Sequence, residues 1–287
     1  MSRHYTLRRG DKGQEVKRLQ SKLGIKPDAD FGKNTDAVVQ AYQSSNGLLV
    51  DGIAGPITLA SLDIEVLHGI DVSAWNGKNI NWDAVSKTNV RYCWIKATEG
   101  QTHTNRGHVD KFKGARDHGL IVGGYHFGRP DHNQYDDAET DAKKEAEHFL
   151  TTMSQNWASV GIKKGDLLPV LDVEKGMKTD DQYNVEWSLA WLECVEKETG
   201  VRPVIYTAKW AWDLYLAKAN SCDLTSLTSY PVWWASYNEG STPKRDVHGW
   251  KEWDIWQYGS KGSIDGIPGG VDVNWMAGGR LRNLLVP

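Results

Sequence analysis

The chain has 287 residues, enough for one large domain or a small one beside a medium one, each with a real core. A formal net charge of -3 on 34 basic and 37 acidic residues gives no reason to expect nucleic acid or an anionic membrane surface as a partner. Fourteen Trp and eleven Tyr against four Phe bias the rings toward those with a polar edge, which stack on sugar faces as well as pack in cores.

No stretch approaches the ~18 apolar residues of a membrane span, so membrane insertion is not expected. Residues 1–10 hold no apolar leader segment. The expectation is a monomer made in the cytoplasm without a signal peptide, reaching its target after release or export. Cys93, Cys194 and Cys222 are odd in number and lack metal-like spacing, so free thiols are expected, Cys93 and Cys194 among them buried.

Taken in order, residues 5–63 carry a helical pattern. Leu7, Val16, Leu19, Gln20 and Leu23 follow Gly10-Asp11-Lys12-Gly13, and Ala37, Val38, Ala41 and Tyr42 repeat the spacing before Gly47-Leu48. Asp30-Phe31-Gly32-Lys33-Asn34-Thr35 and Ile53-Ala54-Gly55-Pro56-Ile57-Thr58 form a loose repeat, each with a Gly three residues before a Thr suited to opening a helix. Pro56 suits an early helical position. The prediction is a small all-α, three-helix domain over 1–63 and a short linker over 64–67. In the sequence Leu7-Arg8-Arg9-Gly10, Leu19-Gln20, Phe31-Gly32, Tyr42-Gln43, Val50-Asp51-Gly52 and Gly55-Pro56, this stretch resembles the PG-binding 1 type of peptidoglycan-binding module. The resemblance implies bacterial peptidoglycan as a partner.

From His68 onward strands alternate with amphipathic segments. Gly69–Ser73, Arg91–Ala97, Leu120–Phe127, Leu168–Glu174, Pro203–Tyr206 and Pro231–Trp234 read as strands, and helical patterns fall near 109–118, 136–153, 181–199 and 208–219. Trp253–Tyr258 and Gly270–Asn274 read as strands with only turns between them. This predicts an α/β domain over 68–287, an irregular β/α (TIM-like) barrel whose last strands lack helices.

The apolar run Leu167-Leu168-Pro169-Val170-Leu171 ends in Asp172-Val173-Glu174. On a strand these two acids share a face, roughly 6–7 Å apart. Held that close they cannot both ionise cheaply, so one pKa rises toward what a general acid needs. Asp71, Glu99, Tyr206 and Trp234 also fall near strand ends, which in a β/α barrel gathers acids and rings on one rim. That is the pattern of a glycosidase. No His-x-x-x-His, Gly-x-Ser-x-Gly or phosphate-cradling loop is present, and the expected chemistry uses no metal and no cofactor.

The motifs His68-Gly69-Ile70-Asp71-Val72-Ser73, Ile95-Lys96-Ala97-Thr98-Glu99-Gly100, Gly124-Tyr125-His126-Phe127, Leu171-Asp172-Val173-Glu174, Trp234-Ala235-Ser236-Tyr237, Trp256-Gln257-Tyr258 and Gly270-Val271-Asp272-Val273-Asn274 are similar, in order, to those of glycoside hydrolase family 25. These are lysozymes cleaving the β-1,4 bond between N-acetylmuramic acid and N-acetylglucosamine. The resemblance implies Glu174 as general acid, Asp172 as its partner, and Asp71 and Asp272 completing the acidic cluster. Asp172 would either orient the substrate's acetamido group or support the developing positive charge. Tyr125, Tyr206, Trp234, Tyr237 and Gln257 are the substrate-binding candidates, and Glu99 a structural or rim residue. The resulting expectation is a wall hydrolase, a phage endolysin foremost. A bacterial autolysin and a wall-binding protein without catalysis are the alternatives.

Overall fold

The computed structural model describes residues 7–62, 64, 66–130, 137–154, 161–175, 177–178, 180–237, 248–277 and 281–287. Residues 1–6, on which the leader expectation partly rests, lie outside them.

In the N-terminal region α1 (Gln14–Lys22), α2 (Lys33–Ser45) and α3 (Pro56–Ser61) surround a core of Leu7, Val16, Leu19, Phe31, Val39, Ala54, Leu59, Leu62 and Ile64. The loose sequence repeat has a physical cause. Gln20 Nε2 donates to Asp28 Oδ1, the Asp30 carbonyl and Thr35 Oγ1, while its Oε1 accepts from Ala29 N. Gln43 makes the same four bonds to Asp51, Ile53, Thr58 and Gly52. Each buried glutamine thus clips the loop after its own helix to the start of the next, using both its amide hydrogens and its carbonyl oxygen. The two Thr are therefore not caps. They lie inside the first turn, and Gly32 precedes α2 without a side-chain cap. Ala29 (φ 65°) stands where the second repeat has Gly52 (φ 69°).

Ile64 belongs to the helical core, and β1 (Val66–Val72) begins two residues later, within the span expected as a linker. The strands that follow are β2 (Val90–Glu99), the two-residue β3 (His103–Thr104), β4 (Ile121–Phe127), β5 (Val170–Asp172), β6 (Val204–Ala208), β7 (Val232–Ala235), β8 (Ile255–Gly262) and β9 (Val271–Ala277). Eight of them close into a barrel in the order β1-β2-β4-β5-β6-β7-β8-β9, with β3 appended to the end of β2. Every neighbouring pair of the eight is parallel except those of β9, which runs antiparallel to both β8 and β1.

Helices α5 (His108–Asp117), α6 (Ala138–Ser154), α7 (Asp181–Thr199) and α8 (Lys209–Tyr215) match the expected helical patterns. Two further helices were not expected: α4 (Trp82–Ser86) is too short for a periodic signal, and α9 (Ser221–Leu227) buries only Leu227. As expected, β8 and β9 are joined without a helix. Cys93 is buried, Cys194 half-buried and Cys222 exposed, all as free thiols. No helix of the described residues is long and apolar enough to cross a membrane.

Strand alternation divides the apolar residues into two cores. Ile70, Val72, Cys93, Ile95, Leu171, Val173, Ile205 and Trp234 face outward onto Phe112, Phe149, Trp187, Trp191 and Trp212 of the helices. Tyr92, Trp94, Val170, Val204, Trp233, Ile255 and Met276 fill the barrel. Trp94 stacks on Trp233 at 4.7 Å, and these large rings fit because small residues face them. A Cβ on Gly69 would lie 1.9 Å from the Tyr92 ring, and one on Gly123 would lie 2.7 Å from Trp94 Nε1. The filled barrel is the floor of the site.

Candidate active site

At the C-terminal ends of the parallel strands lies a cavity of about 600 Å³ lined by Asp71, Lys96, Tyr125, Phe127, Asp172, Glu174, Lys175, Tyr206, Trp233, Tyr237, Gln257 and Asp272, with Ser73, Trp75 and Trp210. A larger groove of about 840 Å³ between α6 and α7 collects surface acids such as Glu147, Glu186 and Glu193, but lacks the barrel-rim position.

Register explains the convergence. Asp172 pairs across the sheet with Phe127 on one side and Tyr206 on the other. Asp71 and Asp272 are direct partners in the β1–β9 ladder. Asp272 is only the second residue of its strand, yet it reaches the rim because β9 runs backwards and starts where its neighbours end. Two acids facing each other across a ladder repel, an arrangement that folding alone disfavours.

A hydrogen-bonded chain holds Asp71. Its Oδ2 accepts from Gln257 Nε2 (2.9 Å) and Asn274 Nδ2 (2.8 Å). The Gln257 Oε1 accepts from the hydroxyls of Tyr206 (2.9 Å) and Tyr237 (2.7 Å). Asn274 Oδ1 accepts from Trp233 Nε1 (2.8 Å). Because an indole N–H can only donate, the Asn274 amide has one orientation, and it presents its NH₂ to Asp71.

Burial raises all four carboxyls above the usual range. For Asp71 it wins over the two amide hydrogen bonds, with the Glu174 charge adding to it, and the pKa reaches about 6. Asp272 is pushed to about 8 by burial and by the charges of Asp71 and Glu174. Asp172 is driven well up by burial and then by Glu174, against the pull of Lys96. Glu174 rises by burial, against Lys175 and Lys96. Asp272 therefore keeps its proton at neutral pH, while Asp71 gives up its own above about pH 6. Asp172 Oδ1 is buried with no hydrogen-bond partner among the described residues. An unsatisfied buried acceptor at a cavity wall is a docking point for a donor on a ligand.

The acid pair sits differently from expectation. The strand ends at Asp172, not Glu174, and Glu174 lies in the bend beyond it. Glu174 is partly open to the cavity, whereas Asp172 is buried.

Of the candidates read from sequence, Asp71, Tyr125, Asp172, Glu174, Tyr206, Tyr237, Gln257 and Asp272 all line this cavity. Trp234 does not. It points outward, 3% exposed, against Trp250 and His248, and its neighbour Trp233 faces the cavity. Two adjacent Trp on a strand face opposite ways, and the sequence leaves the phase open. Glu99 lies behind the wall, paired with Lys96 and Arg129. Reading the sequence missed Asn274 and Lys96, although each sits two residues from an inward residue on its strand. It also missed Trp75, which is 96% exposed at the rim, and Trp210 on α8.

A closed barrel with its acids and rings gathered at one rim defines a hydrolase of glycans. Comparison with known families agrees, and the chain belongs to the glycosyl hydrolases family 25, whose model matches residues 70–267. Residues 12–62 match the model of a peptidoglycan binding domain. Lysozyme M1 of Streptomyces globisporus is 28% identical over 91% of this chain and 84% of its own length. An uncharacterized protein of Escherichia coli K12 is 32% identical over 72% of this chain and 68% of its own. The crystal structure of a bacterial lysozyme from Streptomyces coelicolor superposes with a TM-score of 0.61 at 26% identity, covering 76% of this chain and 96% of that one.

Proposed function

We propose that this protein is an N-acetylmuramidase that binds peptidoglycan through residues 1–63 and cleaves its β-1,4 glycosidic bonds in the barrel of residues 68–287. The observation that carries the reading is the acid pair under the aromatic rim. Glu174, raised by burial and open to the cavity, holds the proton that goes to the leaving glycosidic oxygen. Asp172 lies deeper, and its unpartnered Oδ1 takes the N–H of the 2-acetamido group, turning the acetamido oxygen toward the anomeric carbon. On the adjoining wall Asp71, ionised above about pH 6, supplies negative potential where positive charge develops, and Asp272 beside it keeps its proton. Tyr125, Tyr206, Tyr237 and Gln257 shape the sugar subsite, with Trp233 in the place expected of Trp234. Trp75 and Trp210 extend it outward.

Digestion of purified peptidoglycan tests this. New reducing N-acetylmuramic acid ends should form and should vanish in Glu174→Gln while glycan binding persists. Release of free amino groups instead would point to a peptidase or amidase, and no release at all to a binding protein without catalysis.

The helical module raises the local concentration of the barrel at the wall. Deleting residues 1–63 should then lower activity on intact walls far more than on short soluble glycans, and equal losses would contradict tethering. A wall-binding module joined to a muramidase suits a phage endolysin acting on its host's wall after release. A bacterial autolysin would use the same two parts.

A further inference from the structure

Two lysines line the acidic cavity, and they are held differently. Lys175 is exposed, whereas the Lys96 side chain is 12% exposed and built into the wall. Lys96 points inward from β2 beside Tyr125 of β4. Its Nζ lies 2.7 Å from Glu99 Oε2 and 4.2 Å from the centre of the Phe127 ring. The other Glu99 oxygen is 3.4 Å from Arg129 Nη1. Phe127, the ring under the ammonium, is the cross-strand partner of Asp172. A mobile ammonium beside two carboxyls would collapse into an ion pair with one of them. Among the described residues Lys96 pairs only with Glu99, so the clamp keeps its charge near the pair without quenching it.

We propose that Lys96 is the positioning cation of the catalytic pair: clamped by Glu99 and the Phe127 face, it keeps one of Asp172 and Glu174 ionised while the other keeps its proton. The assignment rests on the muramidase reading, in which the two carboxyls need different protonation states. Burial alone drives both acids toward the neutral form, and a nearby positive charge opposes it. The groups facing Lys96 and the pair are Glu99 and His103 at the end of β2 and on β3, Arg129 beyond β4, Tyr125 and Phe127 on β4, Asp71 on β1, Tyr206 on β6, Tyr237 beyond β7, Asp272 on β9, and the exposed Lys175, which acts on Glu174 alongside Lys96. Burial works on Glu99 as well, but Lys96 and Arg129 pull its carboxyl below the usual range, so it stays charged and does not compete for the proton.

The test uses two substitutions of opposite expected sign, with the full chain. Lys96→Met removes the cation, and both limbs of the pH–rate profile on solubilised peptidoglycan should move up by about one unit. Glu99→Gln removes the clamp and its negative charge, freeing the ammonium toward the pair, and the profile should move down. Lys96→Arg should return it toward the wild type. Carbon-13 titration of the Asp172 and Glu174 carboxyls, assigned with Asp172→Asn and Glu174→Gln, reads the same shifts without turnover, and thermal unfolding checks that each variant is folded. Unmoved carboxyl titrations in Lys96→Met, or shifts of the same sign in both variants, would overturn the proposal. Should the wild type release no muramic acid ends, the muramidase reading falls and the titrations still decide the role of Lys96.

Discussion

Replacing Asp71 by Asn should stabilise the protein while disabling it, and the stabilisation should depend on pH. Asp71 is buried, and its folded pKa of about 6 stands a little over two units above the ordinary 3.8. At about 1.4 kcal/mol per unit, the ionised carboxylate costs the fold about 3 kcal/mol relative to the protonated form. The sign follows from the direction of the shift. A raised acid favours folding while protonated, so that contribution is complete below about pH 4 and is lost as pH climbs through about 6. Asn is neutral throughout, and its single Oδ1 can accept the same two bonds from Gln257 and Asn274. Below about pH 4 the two proteins should have similar stability, and above about pH 6 the variant should gain up to about 3 kcal/mol. Part of that gain would come through Asp272, whose carboxyl is itself raised by the Asp71 charge. Urea denaturation midpoints across this range measure the gap, alongside hydrolysis assays that should show the loss of activity. A gap of equal size at both ends of the range, or a wild type that is more stable at neutral pH, would refute the reasoning.

The adjacent tryptophans should separate cleanly. Trp234→Ala opens a void in the outer core and should cost about 3–5 kcal/mol in unfolding experiments. Trp233→Phe keeps a ring in place, though a smaller one, and removes the donor to Asn274, so kcat should fall through Asp71 with a stability loss of about 1–3 kcal/mol. Trp75 is almost fully exposed, and Trp75→Ala should leave the melting temperature unchanged while raising KM several-fold, about 1 kcal/mol of ring contact. In the helical region Ala29→Gly relieves a left-handed backbone and should be neutral or stabilising by up to about 1 kcal/mol. Gly52→Ala, the counterpart change, strains the backbone and places a Cβ 2.4 Å from Asp36 Oδ1, and amide exchange in α1 and α2 should accelerate.

Much of the architecture was readable because period and punctuation are local properties. Alternating apolar runs marked the strands, and the missing helix between the last two was visible as a lack of any 3.6-residue pattern. Asp71, Asp172 and Glu174 were legible because each falls at or near the end of an apolar run, whereas Asp272 came from the family resemblance. The repeated Gly-x-x-Thr of the helical module was visible too, but its meaning depended on Gln20 and Gln43 reaching across their loops. The error at Trp234 has a simple origin. Strand parity is a matter of phase, and two neighbouring Trp leave that phase undetermined until pairing with β6 and β8 turns Trp233 inward.

The sequence by itself determined most of the longer strands and helices, and that carboxyls and rings would crowd one end of a barrel. Hydrophobic period and turn residues act over a few residues and need no fold to be read. Only the tertiary structure decided which acids share a wall, that β9 runs backwards and sets Asp272 opposite Asp71, and that Lys96 is clamped beside the pair. Those outcomes depend on register and closure, which join residues far apart in the chain. Burial and opposed charge, and with them the proton content of the site, exist only after the barrel has closed.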